Sequence, residues 1–185
     1  MPVTGAAAHR RRDGAYHPHV EGHLAVSFRA GREGDAAAVA EVARITWRET
    51  YRGLIPPAAV ESFLARSYAD ETVALRIGRA ARFDVADEPD GRLVGFAEWE
   101  VRDGSARLVA TYVLPGCQRR GIGRAFHERA LDAFRGRVGA FLVEVLATNV
   151  GGRRFYEAMG YREVGRSSFV ESGQSIDEVR YRMDV

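Results

Sequence analysis

Three strand-like segments follow one another in the middle of the chain, separated only by short turns. Residues 82–86, 93–101 and 106–114 have the apolar and β-branched content of strands, and the segments between them contain the turn residues Pro, Asp, Gly and Ser. A turn of a few residues cannot carry the chain back to begin a parallel strand. The sequence therefore predicts an antiparallel meander, which restricts the fold to those built around such a sheet.

Helix and strand patterns flank this meander on both sides. The predicted elements are a strand at 24–29, helices at 36–51, from 57 and at about 71–78, and then helix 121–134, strand 141–147, helix 151–159 and strands 161–166 and 178–183. This order predicts one α/β (α+β) domain over residues 24–185, with a mixed sheet and helices on both faces. Residues 1–23 contain arginines and histidines but no continuous apolar stretch, and we expect a flexible N-terminal tail there.

The composition excludes several classes of protein. The chain has 27 arginines and no lysine, although P-loop NTPases, pyridoxal enzymes and protein kinases each need a lysine. Cys117 is the single cysteine, so an intrachain disulfide and a cysteine-rich metal site are excluded. The 25 acidic residues nearly balance the arginines, which argues against a nucleic-acid partner. No apolar run has the length of a membrane span or of a signal peptide, so we expect a cytoplasmic protein with no membrane partner.

The segment YVLPGCQRRGIGR, residues 112–124, contains the clearest chemical signal. A strand runs into a loop, and the loop begins a helix with glycine at two alternate positions. The N–H groups in the first turn of a helix are unpaired and the helix dipole adds positive potential, so such a turn attracts anions. Glycine lets a diphosphate approach the backbone, and Arg119, Arg120 and Arg124 add charged donors. These residues predict a phosphate-bearing ligand.

Two other interpretations apply to the same segment. As a dinucleotide-binding fingerprint it fails, since a third glycine is absent at the required spacing and the preceding strands form a meander instead of βαβ units. As a tight strand-to-helix turn with solvated arginines it remains acceptable on these residues alone. Other motifs must decide between ligand binding and this simpler alternative.

Two motifs resemble those of the GCN5-related N-acetyltransferases, the GNAT family. The acetyl-CoA-binding pattern Val-x-Pro-x-x-Gln-x-x-Gly-x-Gly is met at Val113, Pro115, Gln118, Gly121 and Gly123. Further along, EVLATN at 144–149 and FYEAMGY at 155–161 look like the family's fifth strand and the element that follows it. Residues 47–56 are similar to the family's first helical region, and the resemblance covers roughly residues 25–185.

The resemblance implies a GNAT-type mixed, mostly antiparallel central sheet of about seven strands, in which the fourth strand bulges and splays away from the fifth. Acetyl-CoA would be the co-substrate, with its pantetheine arm in the gap, against the backbone of Val113 and near Asn149. No metal ion is implied. The pyrophosphate would lie on the backbone N–H groups of Arg119, Arg120, Gly121, Ile122, Gly123 and Arg124.

The resemblance also implies direct attack of a primary amine on the acetyl thioester in a ternary complex. Tyr156 stands where the family places the general acid that protonates the leaving thiolate. Glu144 stands where some members, ribosomal-protein alanine acetyltransferases among them, have a catalytic glutamate. Glu98 and Glu100, which share one face of a strand, and ordered water are alternatives for the base. Cys117 is a weaker candidate for an acetyl-accepting nucleophile, because no histidine neighbours it in the sequence.

These motifs leave the acceptor amine open. Family members acetylate small molecules or protein N-termini, so we expect one of these classes, and a non-catalytic acyl-CoA sensor of the same fold is the alternative. We expect the helical segment at 47–64 and a loop at 167–175 to select the acceptor. Trp47, Tyr51 and Phe63 are candidates for its pocket, although their helical spacing also fits core packing. Homodimers are frequent in the family, and the sequence leaves the oligomeric state open.

Overall fold

A seven-stranded sheet forms the centre of the computed structural model, which describes residues 26–171 and 173–185. The strands are β1 Ser27–Ala30, β2 Arg82–Asp87, β3 Leu93–Arg102, β4 Ser105–Val113, β5 Ala140–Leu146, β6 Arg162–Glu171 and β7 Gln174–Asp184. They lie in the order β1-β2-β3-β4-β5-β7-β6, and β4 and β5 are the parallel pair in an otherwise antiparallel sheet. The mixed, mostly antiparallel sheet is therefore confirmed. The predicted tail, residues 1–23, lies outside the described residues.

Helices cover both faces of this sheet, as two neighbouring residues of β3 demonstrate. The helices are α1 Ala36–Thr50, α2 Pro57–Ser67, α3 Asp70–Arg79, α4 Ile122–Phe134 and α5 Val150–Ala158. The Glu98 carboxylate accepts a hydrogen bond from Nε of Arg76 in α3 at 3.0 Å. The ring of Trp99 lies 5.9 Å from that of His127 in α4. Because adjacent strand residues point to opposite faces, α3 and α4 lie on opposite sides of the sheet, as predicted.

β4 pairs with β5 over a short distance only. The parallel register is confined to residues 105–107 of β4, and beyond it the two strands separate. On the other edge of β4 the register with β3 shifts, so that Val109 has no partner between Leu108 and Ala110. Such a bulge bends a strand and increases its twist. The bulge and the splay that the resemblance implies are both present.

The end of the chain differs from the expectation of a loop at residues 167–175. Most of this segment belongs to a hairpin in which β6 and β7 pair antiparallel, with Phe169 opposite Ile176 and Val170 opposite Ser175. Serine and glycine lower the local preference for a strand, but β6 and β7 pair with each other through this segment, and residues 178–184 of β7 pair with β5 as well, so pairing overrides the local preference. The prediction of a loop there is wrong.

The face of the sheet under α4 buries a histidine among aromatic rings. His127 is 3% exposed, and its ring lies 5.4 Å from that of Tyr161 and 5.8 Å from that of Phe141. Neither ring nitrogen has a hydrogen-bond partner among the described residues. Burial, with a smaller contribution from the charge of Arg124, lowers the pKa of His127 to about 4. The ring is therefore neutral in the folded protein at neutral pH.

His127→Leu is expected to make the stability of the protein less sensitive to acid. The unfolded histidine titrates near ~6.5, whereas the folded one has a pKa of about 4, so between these values only the unfolded state takes up the proton. This difference lowers the wild-type free energy of unfolding by about 2 kcal/mol between roughly pH 7 and pH 4.5, and the variant lacks that loss. Urea titrations at both pH values measure it. An equal acid-induced loss in both proteins would contradict the prediction.

Candidate active site

A cavity of about 660 Å³ occupies the gap between β4 and β5. Its walls are residues 108–113 of β4 and residues 144–146 of β5, and it is completed by the first turns of α4 and α5 and by side chains of α1, α2, β6 and β7. Pockets for small molecules commonly have volumes of roughly 300–1,000 Å³. The separation of the two strands therefore produces a site of ligand size.

The edge of β4 that faces this cavity offers backbone hydrogen-bonding groups. The N–H of Leu114 donates to the Val94 carbonyl of β3 at 2.8 Å, and backbone groups alternate between the two edges of a strand, so those of Val113 face the gap. The Val113 carbonyl accepts a hydrogen bond from Gln118 Nε2 at 3.0 Å. The N–H of Val113 is left for the predicted contact with the pantetheine arm. Gln118 holds the loop against the end of β4.

The first turn of α4 is arranged to accept an anion. Its N-cap is Gly121, whose φ of +82° lies in the left-handed region that favours glycine. No side chain caps the turn, so its first N–H groups are left for a ligand or for solvent. Arg119 and Arg124 line the cavity beside this turn and form no salt bridge with any described residue. Gly121, Ile122 and Gly123 line it as well.

The side chain of Arg120 is engaged away from the cavity, at the turn between β2 and β3. Its Nη1 lies 3.1 Å from Oε1 of Glu88, which is 8% exposed. The buried Cys117 donates from Sγ to the same carboxylate oxygen at 3.7 Å. Arg120 thus ties the loop before α4 to the sheet.

Asn149 lines the cavity and also has a structural role. Its Oδ1 accepts a hydrogen bond from the N–H of Gly152 at 2.9 Å and caps the start of α5. Tyr51 lines the same cavity, and the Asn149 side chain lowers the pKa of its hydroxyl against the larger effect of burial, which raises it. Asn149 therefore sets the direction in which α5 leaves the sheet, and with it the position of Tyr156.

Tyr156 lies at the cavity with its hydroxyl unpaired. The residue is 7% exposed and lines the cavity, and its hydroxyl makes no hydrogen bond to any described residue. Burial raises the pKa of Tyr156 above the usual value, and the neighbouring Tyr112 and Tyr51 add to this effect. A tyrosine in this state keeps its proton at neutral pH and so has one to donate.

Of the three glutamates predicted as candidate bases, the structure brings Glu144 to the cavity. The Glu144 carboxylate lies 2.6 Å from Nη2 of Arg107 in β4. Glu98 is buried in a salt bridge with Arg76, and Glu100 is exposed near the far end of β3. Neither of these two lines the cavity.

Glu178 is a second carboxylate at the cavity, and sequence reasoning missed it. It lies half-buried in β7, opposite Leu146 of β5. Burial raises the pKa of Glu178, and the charge of Glu144 adds to the effect. Glu178 belongs to no motif, and it comes beside Glu144 through the antiparallel register of β5 and β7, so the sequence alone contained no signal for it.

Aromatic side chains of α1 and α2 form one wall of the cavity. The rings of Trp47 and Phe63 are stacked with centroids 4.1 Å apart, and the ring of Tyr51 lies 4.5 Å from that of Trp47. All three residues line the cavity. Trp47 and Tyr51 are also buried in the core. The same rings therefore pack the core and face the cavity, and their role toward an acceptor stays a prediction.

Within residues 26–171 and 173–185, no group of three or more His, Cys, Asp or Glu side chains is arranged to hold a metal ion. The helices in this part of the chain are too short or too polar to cross a membrane. The histidines of the predicted tail, His17, His19 and His23, lie outside the described residues.

The sequence of this chain is similar to a known protein family. A model of the Acetyltransferase (GNAT) family matches residues 39–161. The chain is 29% identical over 94 residues to the spermidine N(1)-acetyltransferase of Thermoplasma acidophilum, a match that covers 49% of this chain and 58% of that protein. It is 35% identical over 75 residues to the ribosomal protein bS18-alanine N-acetyltransferase of Escherichia coli, which covers 40% and 51% respectively. The chain thus spans a little over half the length of these curated relatives.

A solved structure shares the architecture over nearly its full length. The PaiA N-acetyltransferase of Thermoplasma acidophilum, in complex with coenzyme A, aligns with a TM-score of 0.72 and 24% identity, covering 84% of this chain and 98% of that one. At this level of identity the likeness establishes the fold. The chemistry of the site depends on the residues of this chain.

Substitution of Asn149 separates its capping role from its contact with Tyr51. Asn149→Ala removes the acceptor at the N-cap and is expected to lower the free energy of unfolding by about 1 kcal/mol. Asn149→Asp keeps an acceptor there and is expected to stay within about 0.3 kcal/mol of the wild type. Urea denaturation of both variants measures the difference. Equal losses would mean that the amide contact with Tyr51, and not the cap, stabilises this region.

Proposed function

The chain belongs to the GNAT family of acetyltransferases, and we propose that it transfers the acetyl group of acetyl-CoA to a primary amine by direct attack in a ternary complex. One observation carries this proposal: an unpaired strand edge, an uncapped helix turn and an unpaired tyrosine hydroxyl meet in a single cavity. The strand edge suits the pantetheine arm, the helix turn suits the diphosphate, and the tyrosine hydroxyl suits the leaving thiolate.

The cofactor half of the cavity is suited to coenzyme A. The amide groups of pantetheine can hydrogen-bond to the free edge of β4 at Val113, as an added strand would. The diphosphate would lie on the first N–H groups of α4, with the guanidinium groups of Arg119 and Arg124 beside it. Asn149, at the start of α5, would lie near the thiol end. These contacts use mainly backbone groups, which accounts for the glycines in this part of the chain.

The chemistry requires one group that removes a proton and one that supplies a proton. An alkylammonium has no free electron pair, so a base must take a proton before the nitrogen attacks the carbonyl carbon. As the C–S bond breaks, sulfur keeps the electron pair and the hydroxyl of Tyr156 protonates it. The base is one of the two carboxylates at the cavity, Glu144 or Glu178. Direct attack needs no covalent intermediate on the protein, so Cys117 has no role in it.

Relatives of this chain support a primary amine as the acceptor without selecting one class. One relative is named for spermidine and another for the alanine of a ribosomal protein. A small-molecule amine and a protein N-terminus both remain within the proposal. Release of the free thiol from acetyl-CoA across a panel of primary amines tests it. Binding of acetyl-CoA without thiol release for any amine would instead make the chain a non-catalytic acyl-CoA sensor.

Tyr156→Phe is expected to lower kcat about 100-fold and to leave the Kd for acetyl-CoA unchanged, because the hydroxyl acts on the leaving thiolate. The phenylalanine ring keeps the edge contact that Tyr156 makes with Phe155. Tyr161→Phe is the matched control, since the Tyr161 hydroxyl is buried without a hydrogen-bond partner, and its kcat should equal that of the wild type. An unchanged kcat in Tyr156→Phe would remove Tyr156 from the acid role.

Gly121→Ala is expected to weaken the binding of coenzyme A about tenfold, by displacing the anion-binding turn of α4. Gly136→Ala is the control, because Gly136 has a φ of +68° and equally open surroundings but does not line the cavity. Both variants should lose about 1 kcal/mol of stability, since alanine is strained at positive φ. Calorimetry should detect weaker binding in Gly121→Ala alone. The same Kd in both variants would show that the α4 turn is not the anion site.

A further inference from the structure

A carboxylate without a partner faces the cavity from β7. The side chain of Glu178 is half-buried and forms no hydrogen bond or salt bridge with any described residue. Buried carboxylates elsewhere are paired with arginines, as Asp84 is with Arg129 and Glu98 is with Arg76. A partly desolvated charge without a partner raises the free energy of the unliganded protein. A cation bound beside Glu178 would remove that cost.

Glu144, the base expected from the family resemblance, already has a cation beside it. Its Oε2 lies 2.6 Å from Nη2 of Arg107. A carboxylate in a salt bridge has less affinity for a second cation. Burial and the charge of Glu144 raise the pKa of Glu178, while Arg107 of β4 and Arg180 of β7 oppose this effect. Of the two carboxylates, Glu178 is therefore better placed to attract an ammonium group, and its raised pKa favours proton uptake.

Tyr51, directly after α1, connects Glu178 with the rest of the site. Tyr51 lines the cavity together with Glu178 and Tyr156. The stacked rings of Trp47 and Phe63 continue from Tyr51 along the wall of the cavity. Aromatic faces attract cations and also pack against alkyl groups. This wall suits the apolar part of an organic amine whose nitrogen lies at Glu178.

We propose that Glu178 binds the ammonium group of the acceptor and takes up its proton, and that the acceptor is an organic cation with an apolar chain against the aromatic wall. This inference rests on the proposed acetyltransferase function. One ammonium proton passes to Glu178, and the freed electron pair of nitrogen forms the C–N bond with the thioester carbon. The C–S bond breaks with its electron pair on sulfur, which takes the hydroxyl proton of Tyr156. The second nitrogen proton restores Tyr156, and Glu178 gives its proton to water.

Glu178→Gln tests this assignment against Glu144→Gln, with Glu128→Gln on the exposed side of α4 as the control. Calorimetry of the CoA-loaded proteins measures the binding of benzylamine, of butane-1,4-diamine and of the neutral benzyl alcohol. Thiol release measures kcat/KM for the same amines as a function of pH. The melting temperature reports folding, and Glu178→Gln should melt no lower than the wild type because the removed charge supports no contact.

Glu178→Gln is expected to weaken the binding of both amines at least about tenfold and to lower kcat/KM about 100-fold. In this variant, kcat/KM should no longer fall at low pH, because the carboxyl of Glu178, whose protonation causes that fall, is absent. Binding of coenzyme A and of benzyl alcohol should not change. Glu144→Gln should lose much less, and Glu128→Gln should match the wild type.

Several outcomes would overturn the assignment. These are unchanged amine binding in Glu178→Gln, a larger loss in Glu144→Gln, equal wild-type affinity for benzylamine and benzyl alcohol, or no wild-type affinity for either amine. The proposed function is decided separately. If the wild type binds the amines through Glu178 but acetylates none of them, the cation site stands and the proposed acetyl transfer is wrong.

Discussion

The architecture of the site depends on an interruption in the sheet. β4 and β5 are parallel neighbours for only three residue pairs, and the bulge at Val109 accompanies their separation. Backbone N–H and C=O groups that lose their partners inside a protein must find others. An edge opened in the middle of a sheet is therefore stable only beside a ligand or water. The cavity, its free strand edge and its place between the helices all follow from this separation.

Arginine–carboxylate pairs hold the elements around the gap in place. Arg76 attaches α3 to β3 through Glu98, and Arg129 attaches α4 to β2 through the buried Asp84, on the opposite face. Arg120 fastens the loop before α4 in the same way. The guanidinium group suits this task, because its planar fork can bind both oxygens of a carboxylate. The absence of lysine thus excludes several classes of enzyme but leaves this framework intact.

The structure of the proposed cofactor half of the site was predictable because its signals are local in the sequence. The turn at Gly121 and the start of α4 depend on consecutive residues, and Tyr156 belongs to a short recognisable element. The rest depends on strand register and on partners distant in the sequence. Glu178 comes beside Glu144 only when β7 pairs with β5, and the partner of Arg120 lies in a different turn. The hairpin at 167–175 was missed for the same reason. The pairing of β6 with β7, and not the local composition, makes most of that segment strand.

The two halves proposed for the cavity, one for the cofactor and one for the acceptor, should consequently respond differently to substitution. The cofactor half consists largely of backbone groups of β4 and α4, so a change there must alter the path of the chain to have an effect. The acceptor half consists of side chains on α1, α2, β6 and β7, among them Trp47, Phe63 and Glu178. Exchanging those side chains changes the shape and charge of the pocket while the strand edge and the helix turn stay in place. One cofactor frame can in this way serve different amines. In the proposed acceptor site, the unpaired charge of Glu178 beside an aromatic wall is the feature that favours a cation over a neutral molecule.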